Sequence, residues 1–323
     1  MELSILIASS RPEAVNRCLQ SLATQNASLN FEVIVAGIIE GVHSSAENVT
    51  LLTVDQTHPN TKRNRAAELA KGRWIALLDD DTIPNPNWVN QAIAFARLHP
   101  KTIFTGPEIP PSTAGSFAHL SHQVLSLNIA EWTKGHVNQQ AEKVQWYDVP
   151  FCNVVFPKEI WNTAGGFNEN IPWHMDDFHF FFPMRHHLEF QNLPSILVEH
   201  DRYPASLIQL IKYKWRLRFE TGEKVINYPI IYLAVRPIKI AILVSLLGLG
   251  LIPLLIYTAW YIIPVMLFIY VGLLMGIVSY QLRTTRWLDV LQGVYILLSI
   301  QFISFTALYW GMLSQMCINH KKH

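Results

Sequence analysis

An α/β domain built on a mostly parallel sheet, followed by helices in a membrane, is the fold class that this sequence predicts. Three observations predict it. Over roughly the first 200 residues, short apolar runs rich in strand formers alternate with helical patterns, as in a parallel sheet covered on both faces. From Ile240 to Tyr280 the chain then carries no Asp, Glu, Lys, Arg or His. A second uncharged stretch runs from Val290 to Asn319.

Taken in order, "LSILIAS" reads as the first strand. The following "RPEAVNRCLQSLATQ" places Pro12 at a helix start and Val15, Leu19 and Leu22 on one helical face. "FEVIVAG" and "LLTV" read as strands, and "TKRNRAAELAKG" as a helix stopped by Gly72. "RWIALLD" is the next strand, "NPNWVNQAIAFARLHP" a helix ending before Pro100, and "SILVEH" a late strand ending in His200. In open sheets of this kind, ligands sit beyond the carboxyl ends of the strands.

Three carboxylates, Asp79, Asp80 and Asp81, stand at one such strand end. Like charges crowd together where a cation neutralises them, and hard oxygen ligands of this kind suit Mg²⁺ or Mn²⁺. The alternative is a solvated acidic turn that opens the next helix. A second acidic pair, Asp176 and Asp177, precedes the aromatic run "FHFFF". Aspartate is favoured as a helix N-cap, so one of the pair suits a structural role. Arg63 and Asn64 lie near a helix start, which favours anions; a solvated helix face is the other reading. The histidines at 174, 179, 186, 187 and 200 follow no fixed metal-ligand spacing.

With these motifs in view, the chain resembles the membrane-bound inverting glycosyltransferases of family 2, which have the GT-A fold, a Rossmann-like domain with a mostly parallel sheet. The resemblance runs from about residue 2 to about residue 205. It is carried by "LSILIASSRPEAVNRCLQSLATQ", "KRNRAAELAKGRWIALLDDDTIP", "CNVVFPKEIWNTAGGFNE" and "HMDDFHFFFPMR", in that order. It implies that Asp79 and Asp81 hold a divalent cation and the donor's diphosphate, with Asp80 as the intervening residue. It further implies that Asp177 is the general base and that His200 matches a third metal ligand found in some relatives. Arg63 would meet the donor diphosphate. Transfer of a sugar from a nucleotide-sugar donor to a lipid-linked or membrane-proximal glycan acceptor would follow, in cell-envelope polysaccharide or glycolipid synthesis. A catalytically silent GT-A protein acting in binding or assembly is the alternative.

The sequence departs from the family pattern at three places. Ala36 and Gly37 stand where the family carries acids after its second strand, leaving Asp55 as a distant substitute. The second acidic pair is Asp-Asp rather than Glu-Asp. Arg185 lies farther from that pair than the usual arginine, with Pro183 between.

A domain order follows: residues 1–205 as the catalytic domain, 206–237 as an amphipathic interfacial segment, and 238–323 as a membrane domain with about three crossings. A crossing needs about 20 apolar residues, so the stretch from Ile240 to Tyr280 has room for two and that from Val290 to Asn319 for one. In "SLIQLIKYKWRLRFETGEKV", Lys212, Lys214, Arg216 and Arg218 alternate with apolar and aromatic groups that suit the headgroup layer of membrane lipids. Arg236, Lys239, Arg283 and Arg286 mark cytoplasmic ends by the positive-inside tendency, whereas Lys321 and Lys322 oppose it. A cytoplasmic catalytic domain is expected, with no signal peptide. Three scattered cysteines give no disulfide framework, and a net charge of +1 excludes a general nucleic-acid binder.

Overall fold

The computed structural model describes residues 1–25, 30–125, 143–171, 176–235, 238, 262–283 and 286–320. The chain divides into two compact units, Met1–Thr113 with His136–Arg202, and Ala114–Gly135 with Tyr203–His323.

The first unit is an α/β domain. Its central sheet has seven strands in the order β3-β2-β1-β4-β8-β6-β9. These are β1 (Leu3–Ser9), β2 (Phe31–Gly37), β3 (Val49–Thr53), β4 (Trp74–Asp79), β6 (Ile103–Thr105), β8 (Asn153–Pro157) and β9 (Phe190–Asn192). β1 pairs in parallel with β2 on one side and with β4 on the other. β8 alone runs antiparallel, to both β4 and β6. Leu3, Ile5 and Ile7 on one face of β1 and Leu6 on the other are all buried. That two-sided burial is why β1 reads as a continuous apolar run rather than an alternating one.

Helix α1 (Pro12–Ala23) starts on Pro12 and buries Val15, Cys18, Leu19 and Leu22, the face its periodicity marks. α2 (Pro59–Leu69) ends before Gly72, and α3 (Trp88–Leu98) buries Trp88, Val89, Ala92, Ile93 and Ala96. α2 behaves differently from its polar sequence. Its Asn60, Thr61, Lys62, Arg63 and Asn64 are all buried. The segment after α5 (Lys158–Ala164) satisfies three of them. Asn64 donates to the Phe167 carbonyl and to Glu169, Thr61 donates to Glu169, and Asn60 donates to the Asn168 carbonyl. Short α6 (Asp176–Phe181) is seated by an aromatic cluster in which Phe178 meets Trp146, and Phe180 and Phe181 meet Phe151.

A second, three-stranded sheet in the order β5-β10-β7 joins β5 (Thr82–Pro84), β7 (Glu108–Ile109) and β10 (Val198–His200). β5 leaves directly from the aspartate run, and His200 of β10 registers with Thr82 of β5.

The second unit is helical: α4 (Ser116–Leu125), α7 (Leu207–Asn227), α8 (Pro229–Ala234), α9 (Ile262–Leu282) and α10 (Trp287–His320). α7 and α10 run alongside each other at very close range. A Cβ on Gly222 would lie 2.0 Å from the Leu308 carbonyl oxygen, and one on Gly311 would lie 2.0 Å from that of Phe219. Only glycine fits at both points.

Of the three expected crossings, the described residues bear on two. The first, Ile240 to about Tyr261, lies outside the described residues. The second coincides with α9, within which the described residues give Leu267–Leu282 as a shorter apolar stretch. Among the described residues only α10, over Trp287–Asn319, is long and apolar enough to cross a membrane. Uncharged length registers α10 but not its neighbour α7. This charged helix, which buries Lys214, Arg218 and Lys224, lies against α10. A multi-pass arrangement is therefore not supported.

Candidate active site

The candidate site lies where the strand order reverses, at the carboxyl ends of β1 and β4, with Ala8 in register with Asp79. The three adjacent carboxylates do not face one another unpaired. Arg11 pairs with Asp80 and Asp81, Arg63 with Asp79, and His200 faces Asp79 and Asp81.

Asp80 turns toward α1. Its Oδ2 accepts the backbone N–H groups of Ser10 at 2.8 Å and Arg11 at 3.0 Å, and its Oδ1 accepts from the Arg11 guanidinium. A carboxylate placed on free N–H groups at a helix start is stabilised by both the hydrogen bonds and the helix dipole. Arg11, the residue before Pro12, has no side-chain cap of its own, so Asp80 supplies one from 69 residues away.

Asp79 and Asp81 turn the other way, toward His200. His200 Nε2 lies 3.0 Å from Asp81 Oδ1 and 4.0 Å from Asp79 Oδ2. One ligand atom from each of the three residues lies within 4.8 Å of the others. A small octahedral cation with donors at about 2.1 Å requires neighbouring donors about 3 Å apart and opposite donors about 4 Å apart. Two carboxylates and one imidazole at these separations fit a divalent cation, and the imidazole favours a first-row transition ion such as Mn²⁺ over Mg²⁺. Burial works against the charge on Asp81, but the His200 hydrogen bond and charge, aided by Arg11, hold its carboxyl down at about 2. Burial and Arg202 oppose a proton on His200. Hydrogen bonds with Asp81, Cys152 and Glu108 outweigh them and hold its pKa well above the usual imidazole value.

Arg63 links the two acidic clusters. Its Nη1 donates to Asp176 Oδ2 at 2.6 Å and its Nη2 to Asp79 Oδ1 at 3.3 Å, while its guanidinium carbon sits 5.1 Å from the centre of the Phe151 ring. The guanidinium thus bridges the end of β4 and the start of α6 from the second turn of α2. Asp177 is 2% exposed, and its Oδ1 accepts the Phe178 backbone N–H at 2.9 Å. Arg185 stacks on Phe182, with 3.8 Å from its guanidinium carbon to the ring centre. Asp55 is exposed beyond β3. His174 lies outside the described residues.

Several residues at this site had no individual signal in the sequence. Lys62 donates to the Ser9 carbonyl and to Ser10 Oγ, both at 2.8 Å, tying α2 to the end of β1. Gly37 takes φ +132°, and a Cβ there would lie 2.2 Å from the Ser9 carbonyl oxygen and 3.0 Å from the Lys62 side chain. The position where the family carries an acid is thus closed by backbone and lysine. Glu108 and Arg202 stand behind His200, on β7 and just past β10. A two-residue strand gives no periodicity, and nothing local to "TGPE" marks Glu108.

An α/β domain with acidic residues and a histidine gathered at its strand ends defines a class of group-transfer enzymes. Comparison with known proteins narrows it. Residues 5–163 match the model of glycosyl transferase family 2. Hyaluronan synthase of Pasteurella multocida is 25% identical over 240 residues, covering 63% of this chain and 25% of the relative. The chain thus spans about a quarter of that protein's length. Among solved structures, S. aureus TarS 1–349 in complex with UDP-GlcNAc aligns over 97% of this chain and 91% of that one, at 13% identity and a TM-score of 0.47. A structure of S. aureus TarS aligns over 72% of this chain and 44% of its own, at 14% identity and a TM-score of 0.46. The family 2 match thus covers just under half of the chain, most of it within the α/β first unit. The matched span includes Arg63, Asp79, Asp81 and Glu108 and ends before Asp177 and His200.

Proposed function

We propose that the chain transfers a sugar, with inversion, from a nucleotide-sugar donor to a glycan acceptor at a membrane, with a divalent cation held by Asp79, Asp81 and His200. The convergence of these three residues at the carboxyl end of β4, beside β1, is the observation that carries the reading. Bound there, a cation supplies Lewis acidity toward the departing diphosphate. Asp80 serves the cation indirectly, because its grip on Ser10 and Arg11 fixes the strand-to-helix turn beside it. Arg63 sets the distance between the donor side and α6, and a donor diphosphate is a second acceptor for its guanidinium.

Within the second acidic pair, Arg63 engages Asp176, which supports reading Asp177 as the residue that takes the proton. Inverting transfer needs one carboxylate to accept the acceptor hydroxyl's proton as that oxygen attacks the anomeric carbon. Asp79 and Asp81 serve the leaving-group side, so the base comes from elsewhere.

The acceptor's membrane setting rests on the helical unit. α10 has the length and apolarity of a span. Trp287, Leu288, Phe302 and Trp310 on α10 and Phe268, Leu273 and Tyr280 on α9 are exposed, an apolar surface of the kind that meets lipid. The lipid-linked nature of the acceptor follows from that setting.

Incubation of the purified chain with a panel of nucleotide sugars, with Mn²⁺ or with EDTA, tests the proposal. Donor consumption that requires Mn²⁺ is expected. Equal consumption in EDTA removes the cation from the reading, and no consumption with any donor and acceptor glycan favours a silent GT-A protein.

A further inference from the structure

Behind His200, on the side away from Asp79 and Asp81, lies a carboxylate with no part in the reading above. Glu108 is 7% exposed. Its Oε2 is 2.6 Å from His200 Nδ1, and the Cys152 thiol donates to the same oxygen at 3.4 Å. Its Oε1 accepts from the Arg202 guanidinium. Taking a carboxylate out of water costs several kcal/mol unless it is well paired. A plain surface ion pair with Arg202, whose side chain is 37% exposed, is a poor reason for bearing that cost.

The small sheet shows how the contact is built. β7 and β10 run in parallel with Glu108 opposite Val198, so Glu108 shares a face with Val198 and with His200 two residues on. β5 pairs with β10 from the other side and brings Asp81, the residue before Thr82, to the opposite nitrogen of the ring. The imidazole is held between two carboxylates, one per nitrogen. A histidine that binds a metal almost always gives its other ring N–H to a carboxylate or carbonyl, which fixes tautomer and ring orientation and strengthens the ligand.

We propose that Glu108 is a positioning residue for cation binding: it holds His200 by Nδ1–H and aims Nε2 between Asp81 and Asp79. Arg202 and Cys152 in turn hold Glu108, one on each oxygen. The inference rests on His200 being a ligand in the proposed function and adds to it a residue that touches neither donor nor cation.

Mn²⁺ titration followed by electron paramagnetic resonance of the free ion gives the affinity, and pulsed resonance detects ¹⁴N coupling from a bound imidazole. Wild type is expected to show one such coupling. Glu108→Ala is expected to bind Mn²⁺ about 10- to 100-fold more weakly, the usual cost of removing such a partner, and to lose or weaken the coupling. Glu108→Gln keeps an acceptor oxygen at the same place and is expected to lose less; it also serves where the alanine variant does not fold. Arg202→Gln is expected to move affinity in the same direction by a smaller factor. Wild-type affinity and an unchanged nitrogen signal in Glu108→Ala, or in Glu108→Gln and Arg202→Gln together, would overturn the proposal. Undiminished Mn²⁺ binding in His200→Ala overturns it by a different route, removing His200 as a ligand while leaving Asp79 and Asp81. Absence of Mn²⁺ binding in wild type removes the metal site of the proposed function itself, and this inference with it.

Discussion

Replacing Asp80 should damage the fold, whereas replacing either neighbour should damage the chemistry. Asp80 is 4% exposed and accepts two backbone N–H groups at the start of α1. Hydrogen bonds to a charged group contribute about 1.5–3 kcal/mol each, and loss of a cap residue alone costs about 0.5–2 kcal/mol. The Arg11 partner is 55% exposed and adds about 1 kcal/mol or less. Because the turn reaches water in part, the two N–H groups freed in Asp80→Ala are partly rescued, and the expected loss is about 3 kcal/mol. With a urea slope of about 3 kcal/mol per molar, the midpoint falls by about 1 M. Asp80→Asn keeps an oxygen at the same place and should lose about a third as much. In Asp80→Asn the Mn²⁺ affinity should stay within about threefold of wild type, since the side chain points away from His200. A stable Asp80→Ala variant that loses Mn²⁺ binding would refute this division of labour, because the middle carboxylate would then be a ligand rather than a cap.

Three further outcomes follow from the same contacts. Asp177→Asn should slow transfer by about 10²- to 10⁴-fold while donor and Mn²⁺ affinities hold; normal turnover in that variant, with loss in Asp176→Asn, would reverse the assignment within the pair. His200 carries a proton more firmly in the folded, metal-free protein than in the unfolded chain. Its contribution to stability is therefore full below about pH 6.5 and declines as pH rises through the raised folded value. A cation must displace that proton, so Mn²⁺ affinity should climb by up to about tenfold per pH unit over the same rise, and a flat profile by calorimetry would contradict the role of His200. Gly311→Ala should lower the melting temperature by several degrees through overpacking of about 1–3 kcal/mol against the Phe219 carbonyl. Gly272→Ala on α9, with nothing within 4 Å, should be neutral or stabilising, and equal effects from the two would place the α7–α10 contact elsewhere.

The elements whose structure depends on local pattern were legible in the sequence. Pro12 and the Val15–Leu19–Leu22 face define α1, and the apolar run into Asp79 defines β4 and the strand end where the site lies. What the sequence left open depends on partners far along the chain. The polar stretch Asn60–Asn64 looks like a solvated helix face, yet Phe167, Asn168 and Glu169, about a hundred residues later, bury it. Asp80 and its neighbours are identical in type, and only the Ser10 and Arg11 backbone N–H groups on one side and His200 on the other separate cap from candidate ligand. The roles proposed within Asp176–Asp177 likewise rest on Arg63, which lies 113 residues before Asp176. Uncharged length suggested crossings, but it carries no information about a charged helix such as α7 packing alongside α10.

Calorimetry of nucleoside diphosphate binding, with and without Mn²⁺, in wild type and Asp81→Asn tests the central reading most directly. Asp81 is 5% exposed, lies 3.0 Å from His200 Nε2 and has its second oxygen 3.0 Å from Arg11, so the isosteric amide removes a ligand charge with little loss of packing. Wild type is expected to bind a diphosphate tightly only when Mn²⁺ is present, and Asp81→Asn to lose that Mn²⁺-dependent binding while still unfolding in a single cooperative urea transition. Unchanged Mn²⁺-dependent binding in the folded Asp81→Asn variant would contradict a cation site at the end of β4.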